Sequence, residues 1–394
     1  MLFKRPADPL RETKASATAR LINAGLTPGF SARDTTSLVR SGFVANPVGF
    51  RAVKLIAEAA AALPLVLQDS LRRYENHPML MLITRPNPAQ GRAEFLETLY
   101  GQLLLSGDAF VEAAISDRNP PELPPELPAE LHVLRSDRLR VVPGADGWPT
   151  GYDYTVAGRK HRFDAGAHSP ICHIRNFHPL DDHYGFSPLQ SAAVAVDVHN
   201  AASRWSKALL DNAARPSGAL VWRDGDASLS DEQFRRLSDE ISESFQGARN
   251  AGRPMVLEGG LDWKPMGFSP SDMEFQATKD AAAREIALAF GVPPMLMGIK
   301  GDATYANYQE ANRAFYRLTV LPLATRVTAA LADWLSRHQG SPLQLMPDLD
   351  QVPALAAERE AQWRRISDAE FLTDAEKRHL LGLPAQMMEE QGDG

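Results

Sequence analysis

The stretch Ala289–Leu323, AFGVPPMLMGIKGDATYANYQEANRAFYRLTVLPL, constrains this chain most, because it must stop one helix, cross a loop and start another. Gly291 suits a left-handed C-terminal cap, and Pro293 and Pro294 forbid continuation of the first helix. A loop with Gly298, Ile299, Lys300, Gly301, Asp302 and Ala303 follows. Asp302 or Thr304 can cap the second helix, along which Tyr305, Tyr308, Asn312, Phe315, Tyr316 and Leu318 recur before Pro322. A proline there removes one backbone hydrogen bond, so the helix is expected to bend.

Elsewhere the pattern predicts helices first and short strands after them. Ala45–Leu67 reads as a helix with Val48, Ala52, Val53, Ile56, Ala57 and Ala60 on one face, leaving at Leu63-Pro64. Leu80–Ile83 and Arg92–Leu105 read as a helical pair. Asp108–Ile115, Leu131–Val142, Gly151–Val156 and Ile171–Phe177 read as strands, with turns at Asn119-Pro120, Pro143-Gly144 and Ala157-Gly158. This order suggests an α+β domain.

Ser187-Pro188-Leu189-Gln190 has the residues of a capping box with proline at the first helical position, opening a helix that can run to about Asn212. Ser271-Asp272-Met273-Glu274 repeats the box and opens a helix to Phe290. In it Ala281, Ala282 and Ala283 keep the surface small, while Lys279, Asp280, Arg284 and Glu285 can pair with a neighbour. The residues between carry strand-like Gly218–Trp222, an amphipathic helix over Ser230–Phe245, and strand-like Pro254–Leu257 and Leu261–Gly267. Helical Ala354–Ile366 and Asp374–Leu381 follow near the end.

The chain of 394 residues, 44% hydrophobic, can bury more than one core. A single cysteine, Cys172, excludes an intramolecular disulfide framework, and its apolar ICHI setting makes it core. The apolar run Leu55–Leu67 carries Glu58 and Pro64 and falls short of the ~20 residues that span a bilayer. No membrane partner is expected. The net charge is −7, and the sequence shows no basic tract. Tight duplex binding through clustered Lys and Arg is therefore not expected; a contact with DNA would be weak and blind to sequence.

Two chemical readings are open. His173, His178, Asp181, Asp182 and His183 are metal-ligand types, and a metal-dependent hydrolase could use them to activate water. Their spacing matches no zinc pattern, and a Tyr-Gly turn leading into a capped helix accounts for them structurally. The loop Gly298–Asp302 lacks the P-loop lysine pattern, so nucleotide hydrolysis is not expected there. No catalytic residue, metal or cofactor is assigned.

Several long words are more specific: NHPMLMLITRPNP at Asn76–Pro88, LRSDRLRVVPG at Leu134–Gly144, DDHYGFSPLQSAA at Asp181–Ala193 and NAGRPMVLEGGLDWKPMGFSPSDMEF at Asn250–Phe275. With the Ala289–Leu323 stretch, they resemble the portal proteins of tailed double-stranded DNA bacteriophages of the Hong Kong 97 type, and in particular the portals of gene transfer agents. The resemblance implies an α+β portal-type fold assembled as a ring of twelve copies. It implies a mobile arm over 1–40, a wing over 41–186, stem helices over 187–215 and 271–291, and a small α/β clip over 216–270. A tunnel loop over 292–304, a kinked tunnel helix over 305–340 and a wing return or reduced crown over 341–394 complete the plan. In that plan Ile299, Lys300, Gly301, Asp302, Ala303 and Thr304 face double-stranded DNA. Lys279, Asp280, Ala281, Ala282, Arg284 and Glu285 pack the stem between copies, and Trp222, Arg223, Asp224 and Arg235 dock partners at the clip. The implied partners are further copies of the chain, the major capsid protein, the large terminase and a head-tail adaptor, at the vertex between capsid and tail. A capsid adaptor without a channel is the remaining alternative.

Overall fold

The computed structural model describes residues 35–114, 127–211, 218–222, 232, 235–236, 239, 261–265, 275–299, 304–340 and 342–384. The expected N-terminal arm and most of the expected clip, including its helix and the Pro254–Leu257 strand, lie outside the described residues. The chain divides into two compact units, 194–285 and the remainder.

In the larger unit, α1 (Thr35–Val39) and a π turn (Arg40–Val44) lead into α2 (Pro47–Ala61). Asn46 starts α2: its Oδ1 accepts from the N–H groups of Val48 (3.0 Å) and Gly49 (2.9 Å), and Pro47 needs no acceptor. Then come β1 (Leu65–Gln68), β2 (Arg73–Tyr74), α3 (Pro78–Thr84) and α4 (Arg92–Ser106). α2 and α4 pack together, burying Ala52, Val53, Ile56, Ala57 and Ala60 from one helix and Phe95, Leu96, Leu99, Tyr100 and Leu103 from the other. Val48 stays half-buried.

The strands β3 (Asp108–Ala114), β4 (Glu130–Leu134), β5 (Leu139–Pro143), β6 (Pro149–Val156), β7 (Arg159–Asp164) and β8 (Ile171–Arg175) follow. They form two antiparallel sheets, ordered β4-β3-β8 and β5-β6-β7. Phe110, Leu134, Leu139, Val141, Tyr152 and Ile171 make a joint core between them. The expected single strand Leu131–Val142 is corrected here to two. The Ser136 N–H donates to Gln102 Oε1 (3.2 Å) and its hydroxyl to the Asp108 carbonyl (2.8 Å), which turns the chain at Ser136–Arg138 and sends β5 into the second sheet. The pattern does not predict β7, RKHRFD, since five of its six side chains are charged or imidazole groups in the open and mask the alternation.

α5 (Pro188–Ser191) carries the full capping box: Gln190 N–H donates to Ser187 Oγ (3.1 Å) and Ser187 N–H to Gln190 Oε1 (2.9 Å). The expected unbroken helix from there is corrected: the chain steps out of helical geometry at Ala192, with ψ near 1°, and resumes as α6 (Ala193–Asp211). In the smaller unit, β9 (Gly218–Trp222) pairs antiparallel with β10 (Leu261–Pro265), and α7 (Phe275–Ala289) begins beside α6, with Trp205 stacked on Phe275 at 4.0 Å. The residues of the second capping box, 271–274, lie outside the described residues.

The remaining elements return to the larger unit: α8 (Tyr305–Phe315), a π turn (Tyr316–Val320), α9 (Leu321–Gln339), β11 (Gln344–Pro347), α10 (Ala356–Ser367) and α11 (Asp374–Leu380). β11 pairs antiparallel with β1, Leu65 opposite Pro347 and Gln68 opposite Gln344, so the C-terminal part completes a sheet begun near residue 65. Ala306–His338 is long and apolar enough, by length and composition, to cross a membrane, but half of its apolar window is buried within the protein, as in a core helix.

Candidate functional site

The joint between α7 and α8 is built as its residue types dictate. Gly291 ends α7 in the left-handed region, φ +67°, and the Val292 N–H reaches back to the Ala287 carbonyl at 2.9 Å. Pro294–Met297 make one 3₁₀ turn, closed by Gly298 at φ +74°. Ile299 is half-buried, its N–H bound to the Pro294 carbonyl at 3.1 Å. Lys300, Gly301, Asp302 and Ala303 lie outside the described residues. The cap of α8 is Thr304, whose Oγ1 accepts from the Asn307 N–H at 3.2 Å.

The bend expected at Pro322 takes the form of a change in hydrogen bonding. Proline cannot donate to the Leu318 carbonyl, and in the preceding turn the Leu321 N–H bonds to Tyr316 O, five residues back. The wider π turn absorbs the missing donor, and the helical path runs on into α9. Thr319, inside that turn, donates its hydroxyl to the Gly291 carbonyl at 2.6 Å. The end of α7 is thereby tied to the one irregular turn of the long helix. From the other side Glu358 of α10 approaches Arg313 (3.6 Å) and Arg317 (3.4 Å). Phe315 is buried, whereas Tyr308 is half exposed, and Leu288 and Leu318 are 79% and 75% exposed.

On α7, Ala281, Arg284 and Glu285 are exposed, Lys279 and Asp280 are half-buried, and Ala282 is buried within the subunit. Gln276 Nε2 donates to Asp280 at 2.8 Å. Burial, with Lys279 nearby, pushes the His199 imidazole below its ordinary pKa. Trp222 ends β9 opposite Leu261, and Arg235 is exposed. Arg223 and Asp224 lie outside the described residues.

The histidine and aspartate group is dispersed over unrelated tasks. His173 Nε2 pairs with the buried Asp108 at 2.8 Å and stacks on Phe110. Asp108 also accepts from the Gly185 N–H at 2.9 Å, and burial raises its carboxyl above the usual range although the His173 contact opposes this. His178 Nδ1 accepts from the Leu180 N–H, and Asp181 caps a turn by accepting from His183 and Tyr184 N–H groups. The Asp182 carbonyl accepts from Arg175, and the His183 ring is buried. Among the described residues, no three His, Cys, Asp or Glu side chains are placed to hold one metal ion.

One surface was missed. The β5-β6-β7 sheet places Arg140, Lys160 and Arg162 on its outer face, with Arg138 at the end nearest the Ala157-Gly158 turn; Arg159, opposite Val156, falls on the other face by alternation. The absence of a basic tract therefore does not hold in three dimensions; the run Arg159–Arg162 was the available signal.

Residues 47–382 match the family described as phage portal protein. The chain belongs to that family. Chains of solved structures resemble this portal protein along nearly its whole length. One is from the neck of an empty GTA particle computed with C6 symmetry: 65% identity, 93% of this chain and 98% of that one covered, TM-score 0.70. A second, from the neck of a native GTA particle computed with C12 symmetry, is 64% identical over 94% of this chain and 99% of that one, TM-score 0.69. The portal protein of Enterobacteria phage HK97 is 25% identical over 295 residues, 73% of this chain and 66% of that protein. The resemblance to Hong Kong 97-type portals and the α+β portal fold are thus established for this chain.

Proposed function

We propose that this portal protein forms a ring around a DNA channel at one capsid vertex of a gene transfer agent particle, passing DNA inward during packaging and outward during delivery. The observation that carries the reading is the near full-length match, at about two-thirds identity, to chains in particle necks computed with sixfold and twelvefold symmetry. A ring of identical copies needs two different faces that complement each other. The exposed Leu288, Tyr308 and Leu318 beside the joint are apolar surface that a neighbouring copy can cover.

In this reading 41–186 and the returning β11 region form the wing, α6 and α7 the stem, and 216–270 the clip. The loop 292–304 constricts on DNA. Of the stem residues, the exposed Ala281, Arg284 and Glu285 would meet a neighbour in this reading, and the buried Ala282 would act inside the subunit. The large terminase and then a head-tail adaptor dock at the clip through Trp222, Arg223, Asp224 and Arg235, and the major capsid protein holds the wing. The mechanism is passive, with no catalytic step. An acidic chain, net −7, leaves the polyanion few deep wells in which to stall.

Electron microscopy of the purified protein tests the architecture: rings with a central hole support it, whereas a compact assembly without a hole favours the adaptor alternative. Deleting Ile299 to Ala303 tests the loop separately. Particles should still assemble but package or retain less DNA; normal packaging and retention in that variant would remove the gating role.

A further inference from the structure

The outer face of the β5-β6-β7 sheet gathers several cations from separate strands. Strand pairing sets Arg140, Asp153 and Arg162 side by side, and the next position adds Thr155 and Lys160. Neighbouring strands are ~4.8 Å apart and alternate residues ~6.8 Å apart along a strand, so these charges share one patch about the size of a few phosphates. Asp153 is buried beneath its two partners, Lys160 at 2.8 Å and Arg162 at 3.1 Å, and those contacts, Lys160 foremost, hold its carboxyl below the usual pKa range. It neutralises part of the charge of those two groups but leaves both cations largely open, with side chains 64% and 42% exposed. Arg138 and Arg140 are exposed and have no ion-pair partner among the described residues. Asp164, at the far end of β7, is the other carboxylate on the face.

We infer that this face is a contact surface for the phosphate backbone of duplex DNA, separate from the tunnel loop and indifferent to sequence. Its chemistry favours that polyanion over an acidic protein. Protein docking sites are organised around aromatic or aliphatic anchors and are poor in charge at their centre. Here the centre is Arg140, Lys160, Arg162 and the hydroxyls of Thr150 and Thr155; the exposed Trp148 lies in the β5-β6 turn at the edge of the sheet and not at this centre. Arginine forks and hydroxyls bind phosphate oxygens, and nothing in the patch is shaped to enter a groove and read bases. The chain as a whole is acidic, so the contact is weak and holds DNA locally.

The test uses the full chain and a short fluorescent duplex of mixed sequence, titrated by anisotropy at several salt concentrations. The variant Arg138→Gln/Arg140→Gln leaves both partners of Asp153 in place. Each phosphate contact contributes ~0.9 to the slope of log K against log salt, so losing two lowers it by ~1.8, an ~12-fold smaller drop in affinity between ~50 and ~200 mM. Arg364→Gln/Arg365→Gln on α10, also exposed, should leave the slope unchanged. An unchanged slope in the Arg138/Arg140 variant, an equal fall in the α10 variant, or no duplex binding by the wild type at low salt would each overturn the inference. Polyglutamate of matched charge displacing the duplex with equal potency would overturn it in favour of an acidic peptide. If the double variant fails to fold, Arg140→Gln alone should lower the slope by ~0.9. Ring formation is scored separately, so failure here does not touch the channel reading.

Discussion

Replacing Gly185 with alanine should destabilise the larger unit by about 4 kcal/mol, because three backbone segments cross there with no room for a methyl group. Gly107 caps α4 at φ +86°, and its carbonyl accepts from the Asn176 N–H at 2.8 Å. A Cβ on Gly185 would stand 2.0 Å from that same Gly107 oxygen and 2.7 Å from the Asn176 nitrogen. Ordinary contact needs the backbones to part by more than ~1 Å, and such overpacking costs ~1–3 kcal/mol. Parting also strains the Asn176 bond, worth ~1 kcal/mol, and the Gly185 N–H bond to the Asp108 carboxylate, worth ~1.5–3 kcal/mol. At ~2–4 °C per kcal/mol for a unit of this size, Tm should fall by about 8–16 °C. The control is Gly101→Ala in the middle of α4, where an added Cβ meets nothing within 4 Å. That change should raise stability by ~0.5–1 kcal/mol. Thermal unfolding followed by near-ultraviolet circular dichroism reads both. A loss below about 1 kcal/mol at Gly185, or the same sign for both variants, would refute the packing argument.

Thr319→Val removes the hydroxyl that donates to Gly291 and should cost ~1 kcal/mol; combined with Gly291→Ala, whose Cβ would meet the same hydroxyl at 2.8 Å, the losses should be non-additive in a double-mutant cycle. Cys172, buried and with its thiol pKa pushed up to about 12, should not react with a thiol-specific disulfide reagent in the native protein and should titrate fully in denaturant. Asp350, which accepts from Arg359 at 2.7 Å and from Trp363 Nε1 at 2.9 Å, has its carboxyl held below the ordinary range, chiefly by the Arg359 bond. A depressed folded pKa gives stability that is present above the unfolded value and lost as pH falls through the folded one. Docking of α10 should thus weaken as pH falls through and below the ordinary carboxylate range, read as a change in Trp363 fluorescence that Trp363→Phe abolishes.

Local chemistry in the sequence determined where several elements begin and end. Asparagine before proline at Asn46, the Ser187–Gln190 box, Gly291 and Thr304 each satisfy helix-end groups that have no other acceptor or donor within a few residues, so a one-dimensional reading finds them. The long matching words likewise carried the family. What only the tertiary structure decided depends on residues far apart in the chain. Ser136 divides β4 from β5 because Gln102 and the Asp108 carbonyl lie within reach of it. β11 closes a sheet with β1, and Ala282 faces inward while Ala281 faces out. The missing donor at Pro322 was visible in the sequence, but its accommodation by a π turn fastened to Gly291 was not. The cationic face is the plainest case: Arg140 and Arg162 are remote in sequence, and only the pairing of β5, β6 and β7 makes them neighbours across Asp153. Caps and turns are settled by bonds within a few residues, whereas register, burial and shared faces are settled by which surfaces the folded chain brings into contact.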